Sequence, residues 1–292
     1  MSELIRFGLS ESKINLISVA GIGVVGEGAV KYMQENGLTG IDYYLFSSNQ
    51  TSVEIERTMN ILKSKMFYHR LVFIVGSAVE VSETKIFYSL GTLLNEFGSL
   101  NIGVLAISVA FDKNEKSKQI ENINYLKRCF RQIYLISTEH ILCSAAIPSL
   151  EDGNQQLYQQ IMLAIKTLKD VLSYNNVVRI DFADINSLSD CGDFGIVTSA
   201  IAAGERRCMI AFDLAINTYL NFEVLKNTRK YLIYIAYGTD EVKIKELVDL
   251  LDYFDGKINN TADLLWSSGF DSDLGKNVCV TIFSAGLEME NI

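Results

Sequence analysis

The first half of the chain alternates between two textures, and no other feature constrains the fold as strongly. Short apolar runs stand at ISV (17–19), YYLF (43–46), LVFIV (71–75), IGVLAIS (102–108) and IYLIS (133–137). Between them lie segments with helical spacing, among them 83–97 and 116–130. Near-continuous apolar runs mark strands buried on both faces, and buried strands separated by helices indicate a parallel sheet covered by helices. The first half therefore reads as a doubly wound, nucleotide-binding-type domain.

A long helix is predicted next, over 155–173. Leu157, Ile161, Ala164, Ile165, Leu168, Val171 and Leu172 fall on one stripe in steps of three and four, and no Gly or Pro interrupts them. After it the texture changes. VVRIDF, FGIVTSAIA, YLIYIAY, ADLLWSS and NVCVTIFSA read as strands, with two clear helices near 205–219 and 241–254. Fewer helices per strand predict a smaller mixed-sheet domain with one face covered. The expected organisation is a Rossmann-like domain over 13–153, a central helix over 154–176 and a smaller domain over 177–288. No internal repeat or low-complexity tract interrupts it.

Composition narrows the function classes. With 49% hydrophobic and 21% charged residues, the chain has the make-up of an ordered protein with a proper core, and its single proline, Pro148, excludes a Pro-rich linker. A net charge of −9 argues against nucleic acid or an anionic membrane as partner, since both attract clustered Lys and Arg. The opening residues lack the basic and apolar regions of a signal peptide, and apolar segments such as 102–111 are too short to span a bilayer. Five scattered cysteines (Cys129, Cys143, Cys191, Cys208 and Cys279) suit reduced core thiols in the cytoplasm.

Two stretches carry possible chemistry. The first is VAGIGVVGEGAVKYM (19–33), with the spacing G-x-G-x-x-G at Gly21, Gly23 and Gly26 between a strand and a helix. Such a loop can cradle a phosphate, but glycine also makes tight strand-to-helix turns without a ligand. A dinucleotide site also needs an acid at the end of the second strand, and that end reads FSSNQ (46–50). The second stretch is VVRIDFADI (177–185). Asp181 and Asp184 are three apart at a strand-to-helix turn. One reading makes them a helix N-cap; the other makes them a carboxylate pair that polarises a water. No metal site is expected: His69 and His140, the only histidines, have no Cys or carboxylate at ligand spacing, so both read as surface or packing residues. There is no G-x-S-x-G elbow, and Trp266 lies in a strand-like run and reads as core.

The whole order resembles the tubulin/FtsZ family, from about residue 14 to 287. Four segments carry the resemblance: INLISVAGIGVVGEGAVKYMQENGLTGIDYYLFSSN with the FtsZ opening segment, GSLNIGVLAISVAF with a strand and its following loop, VRIDFADINSLSDCGDFGIVTSAIAAGERR with the segment after the central helix, and FDSDLGKNVCVTIFSAGLE with the closing strand. The resemblance implies a fold in which GTP lies between two subunits of a filament. One subunit binds it through several loops, and the next inserts two acids that complete the hydrolytic site. Those acids match Asp181 and Asp184, with Arg179 where the family has asparagine.

The GTP contacts depart from the family pattern. Glu27 stands where asparagine is usual in the first loop. The main phosphate loop, G-G-G-T-G-T-G in the family, reads GSAVEVSET (76–84): of its glycines only Gly76 remains, with Val79, Glu80, Val81 and Glu83 added. The 49–71 connection has room for one helix but not for a further glycine-rich loop. Thr138 and Tyr158 stand at the base-recognising positions, where the family has asparagine and aspartate. Gly21, Gly23, Gly26 and Gly76 are then a vestigial nucleotide site, Asp181 and Asp184 vestigial catalytic acids, and Arg179, Asp181 and Asp184 an interface.

The resulting expectation is a cytoskeletal or interaction protein with a degenerate GTPase site and no cofactor. It would act by head-to-tail self-assembly or by binding an FtsZ-type partner in the cytoplasm. The alternative is a divergent GTPase that binds GTP by altered contacts and forms filaments in cell division. A Rossmann-type oxidoreductase is disfavoured by the missing strand-end acid and by the D-F-A-D segment (181–184).

Overall fold

A computed structural model describes residues 15–47, 50–65, 68–107, 113–138, 150–173, 176–217, 227–257 and 262–288. His140, Cys143 and Pro148 lie outside them. The first half runs β1 (Ile17–Ile22), α1 (Gly23–Glu35), β2 (Asp42–Phe46), α2 (Ser52–Lys65), β3 (Leu71–Gly76), α3 (Val81–Glu96), β4 (Leu100–Ile107), α4 (Lys113–Leu126) and β5 (Gln132–Ser137). The expected strands are all present. The predicted central helix is α5 (Leu150–Val171), one continuous element. Then follow α6 (Phe182–Ser189), β6 (Phe194–Ala202), α7 (Arg207–Asn217), β7 (Lys230–Tyr237), α8 (Ile244–Lys257), β8 (Asp263–Phe270) and β9 (Val278–Leu287).

All nine strands form one sheet in the order β2-β1-β3-β4-β5-β6-β9-β7-β8. From β2 to β6 neighbouring strands are parallel, although β5 meets β6 over only three residue pairs, from Ile133–Phe194 to Leu135–Ile196. β9 is antiparallel to both β6 and β7, and β8 is parallel to β7. The second half thus extends the first sheet through a short joint.

Three hydrophobic clusters hold the sheet. One lies under α1, α5 and α6 and runs through both halves, from Val19 and Phe73 to Leu232 and Phe283. The stripe expected on the central helix is buried here from Leu157 to Val171. A second cluster packs α2, α3 and α4 on the opposite face of the first half. A third packs α7 and α8 against Tyr231, Ile233, Val280 and Ile282. The second half is therefore covered on both faces, not on one as expected: α5 and α6 cover one side, α7 and α8 the other.

A second expectation also fails. VVRIDF is not a strand. Val177 N–H donates to Ser268 O at 2.9 Å and Ser267 Oγ donates to Val178 O at 2.7 Å, so the segment touches β8. The pairing goes no further because Asp181 caps a helix that begins at Phe182, a third helix beside the two clear ones and the one that the N-cap reading of Asp181 and Asp184 implied.

Of the cysteines described, Cys129, Cys208 and Cys279 are buried, Cys191 is half-buried, and all four are free. Burial pushes the Cys129 thiol up to about 12, and those of Cys208 and Cys279 up to about 11. These thiols are core-filling groups and are poorly reactive. Among the described residues, no helix is long and apolar enough to cross a membrane.

Candidate functional site

The glycine loop is a turn of three closely packed backbones. Gly23 opens α1 directly after β1, with φ +64. A Cβ on Gly21 would lie 2.5 Å from Gly26 O, and one on Gly26 would lie 2.5 Å from Val75 O in β3. Gly76, at the end of β3, faces Ile22 O and the Phe87 ring, each 2.7 Å from where its Cβ would be. The four predicted glycines are thus brought together, and close approach of protein to protein accounts for them.

The space over Gly23 holds the carboxylate of Glu83, which a Cβ on Gly23 would strike. Glu83 comes from the first turn of α3, is 6% exposed, and accepts a hydrogen bond from Ser77 Oγ at 3.3 Å. Burial raises the pKa of this carboxyl; the Ser77 bond opposes the rise, and the charges of Glu80 and Glu27 add to it. An acid therefore stands at the start of α1, where a helix N-terminus favours an anion. Sequence reading marked Glu83 as a repelling charge but had no signal that its side chain turns inward.

The β3–α3 turn is held from α4. Gln119 Nε2 donates to Ser77 O at 2.7 Å, and Asn122 Nδ2 donates to Ala78 O at 3.0 Å and Val79 O at 3.2 Å. These bonds fix Ala78 at φ +51, a left-handed conformation uncommon for a residue with a Cβ. The turn leaves Val79 39% and Val81 62% exposed, with Glu80 exposed between them. Neither α4 amide was singled out from sequence.

Tyr158 and Thr138, expected from the resemblance at base-recognising positions, are engaged in packing. The Tyr158 ring rests against α1 at Gly28, and burial raises its pKa. Thr138 is buried and its Oγ1 donates to Ile107 O at 3.0 Å.

Asp181 and Asp184 lie at the other pole of the sheet. Asp181 Oδ1 accepts from Ala183 N at 2.7 Å and Asp184 N at 3.0 Å, while Asp184 Oδ2 accepts from Asp181 N at 2.9 Å. This reciprocal capping box starts α6. The capping role is present, and one oxygen of each acid lies outside these bonds. Arg179 is exposed beside them. Phe182, next to Asp181, packs under Arg70, whose guanidinium is 4.8 Å from the ring centroid. Arg70 precedes β3, and the glycine turn lies past the far end of that strand. At about 3.3 Å per residue the two sets of residues are roughly 20 Å apart, so a single copy does not bring them together.

His69 is buried, and its Nε2 is 3.1 Å from Asp42 Oδ2, a carboxylate partner that sequence spacing did not reveal. Among the described residues, no group of three His, Cys, Asp or Glu side chains is placed to hold a metal ion.

The long central helix and the continuous mixed sheet define a tubulin/FtsZ-type α/β fold. No protein-family model matches the chain. The cell division protein FtsZ of Porphyromonas gingivalis is 20% identical over 223 residues, covering 76% of this chain and 49% of that protein. The chain thus spans about half the length of this curated relative. An empty FtsZ dimer from M. jannaschii superposes with TM-score 0.78 at 17% identity, covering 95% of this chain and 90% of that one. A GTPγS-bound protofilament of CetZ2 from Haloferax volcanii gives 0.70 at 12% identity, with 93% of each chain covered. The structural likenesses establish the fold. The sequence match, at 20% identity, points to the same likeness to FtsZ.

Proposed function

We propose that this chain is an FtsZ-like assembly protein that works without GTP. The observation that carries this reading is the Glu83 carboxylate seated over Gly23. A phosphate at that place would collide with the buried Glu83 carboxyl, with Glu27 and Glu80 close enough to influence it. Backbone N–H groups cradle phosphate only where side chains allow approach. The residues of the β3–α3 turn fit that role poorly: side chains from α4 hold its carbonyls, and its valines face outward.

Assembly is the retained function. The FtsZ and CetZ2 relatives above are a dimer and a protofilament. In the proposed contact, Arg179, Asp181 and Asp184 of one copy face the Glu27 and Glu80 surface of the next, with side-chain charges in place of a nucleotide. An FtsZ-type protein is the other partner this surface suits.

A thermal melt with and without GTP and magnesium tests the reading. The expected melting temperature is the same in both. A nucleotide present at 100 times its Kd would stabilise the native state by about 2.7 kcal/mol, a rise of about 5 °C for a chain of this size. Such a rise would overturn the proposed loss of GTP binding.

A further inference from the structure

A cavity of about 490 Å³ opens at the N-terminal ends of β3 and β4, against the start of α6. Arg70, Arg131, Phe182, Asn186 and His69 line it. Arg131 is paired with Asp190, Nη2 to Oδ1, at 3.3 Å. Arg70 differs. Its guanidinium is stacked 4.8 Å over Phe182, and among the described residues it has no carboxylate at ion-pair distance. A guanidinium held by an aromatic face is pre-organised to take a carboxylate in two parallel hydrogen bonds. His69 adds a buried polar group: its Nδ1 has no partner among the described residues. The nearest acids on α6, Asp181 and Asp184, each give one oxygen to backbone N–H groups of the capping box.

The opposite pole carries the complement. Glu80 is exposed, and among the described residues it too has no cation at ion-pair distance. Its backbone is fixed: Glu80 O accepts from both Thr84 N and Thr84 Oγ1 at 3.0 Å, and α4 clamps the preceding three carbonyls. Val79 and Val81 flank it, 39% and 62% exposed. The turn is thus a rigid knob with an acid at its tip and an apolar collar. The cavity is larger than one carboxylate needs, and the collar matches the Phe182 wall.

We infer that Glu80 of one copy enters the Arg70 cavity of a second copy of this chain, with Val79 and Val81 packing at its mouth. The inference rests on the self-assembly reading above and names its contact. Knob and cavity lie at opposite ends of β3, so one copy cannot satisfy both. Each contact leaves a knob and a cavity free, and a heterologous contact of this kind repeats into an open chain or closes into a ring.

Charge reversal tests it, with sedimentation of the purified chain in the absence of GTP. Glu80→Arg alone and Arg70→Glu alone are each expected to weaken self-association at least about tenfold. A one-to-one mixture of the two variants is expected to restore it, because every contact between unlike copies is again a cation with an acid. Both side chains are exposed, so circular dichroism should be unchanged. Glu80→Gln and Arg70→Gln serve if a reversed charge disturbs folding, and each should also weaken association. Assembly of the wild type that none of these variants weakens, or a mixture that fails to recover, overturns this contact and leaves self-assembly standing. A wild-type chain that stays monomeric at its highest soluble concentration overturns both.

Discussion

Replacing Gly26 by Val is expected to remove about 3 kcal/mol of stability or more, a large share of what holds the chain folded. Any Cβ at position 26 would stand 2.5 Å from Val75 O and 2.6 Å from Gly21 C. Both atoms are backbone of inner strands, β3 and β1, which are hydrogen-bonded on either side. Relief would require moving the first turn of α1 off the sheet and breaking its packing at Ala29, Val30 and Met33, all fully buried. Overpacking a core typically costs 1–3 kcal/mol, and more where the obstacle is backbone. Domains have only about 5–15 kcal/mol in hand. Urea unfolding, or the soluble yield if the variant does not fold, measures the effect. A Gly26→Val chain as stable as the wild type would show that the turn is not packed in this way.

Replacing Phe212 by Ala is expected to cost about 3–5 kcal/mol, the usual range for emptying a buried phenyl site. Phe212 of α7 is fully buried, and its ring meets those of Tyr253 and Phe254 of α8 edge-on, each at 5.9 Å. Phe254 in turn meets Tyr231 of β7 at 5.1 Å. One ring therefore joins two helices to the sheet, and neighbours fixed at both ends cannot collapse into the gap. The loss should appear as a lower urea midpoint. A change below about 1 kcal/mol would mean that α7 and α8 repack freely and that this cluster does not hold the second half.

Much of the fold is legible in the sequence because burial on both faces writes itself as continuous apolar runs. LVFIV and IYLIS could be little else than inner strands, and the 3.6-residue stripe from Leu157 to Val171 specifies a helix. VVRIDF misleads because its apolar residues satisfy strand patterning, while the decisive event is a side-chain-to-backbone bond at Asp181. The short joint between β5 and β6, and the covering of both faces of the second half, depend on pairings that no local pattern encodes.

The candidate site is legible in a different way. The glycine spacing announces a tight turn, and the turn is there. What fills the space beside it depends on Glu83 turning inward from α3, and spacing does not report that direction. Arg70 over Phe182 and His69 beside Asp42 are juxtapositions made by the sheet between residues far apart in the chain. Charge was readable, but which charges were already satisfied was not. Lys31 has Glu35 within 3.8 Å on the same helix face, whereas Glu80 and Arg70 find no such partner among the described residues.

Sedimentation velocity of the wild-type chain, run with and without GTP and magnesium, bears most directly on assembly without nucleotide. The same population of assembled species is expected in both runs. Assembly that appears only when GTP is added would contradict it.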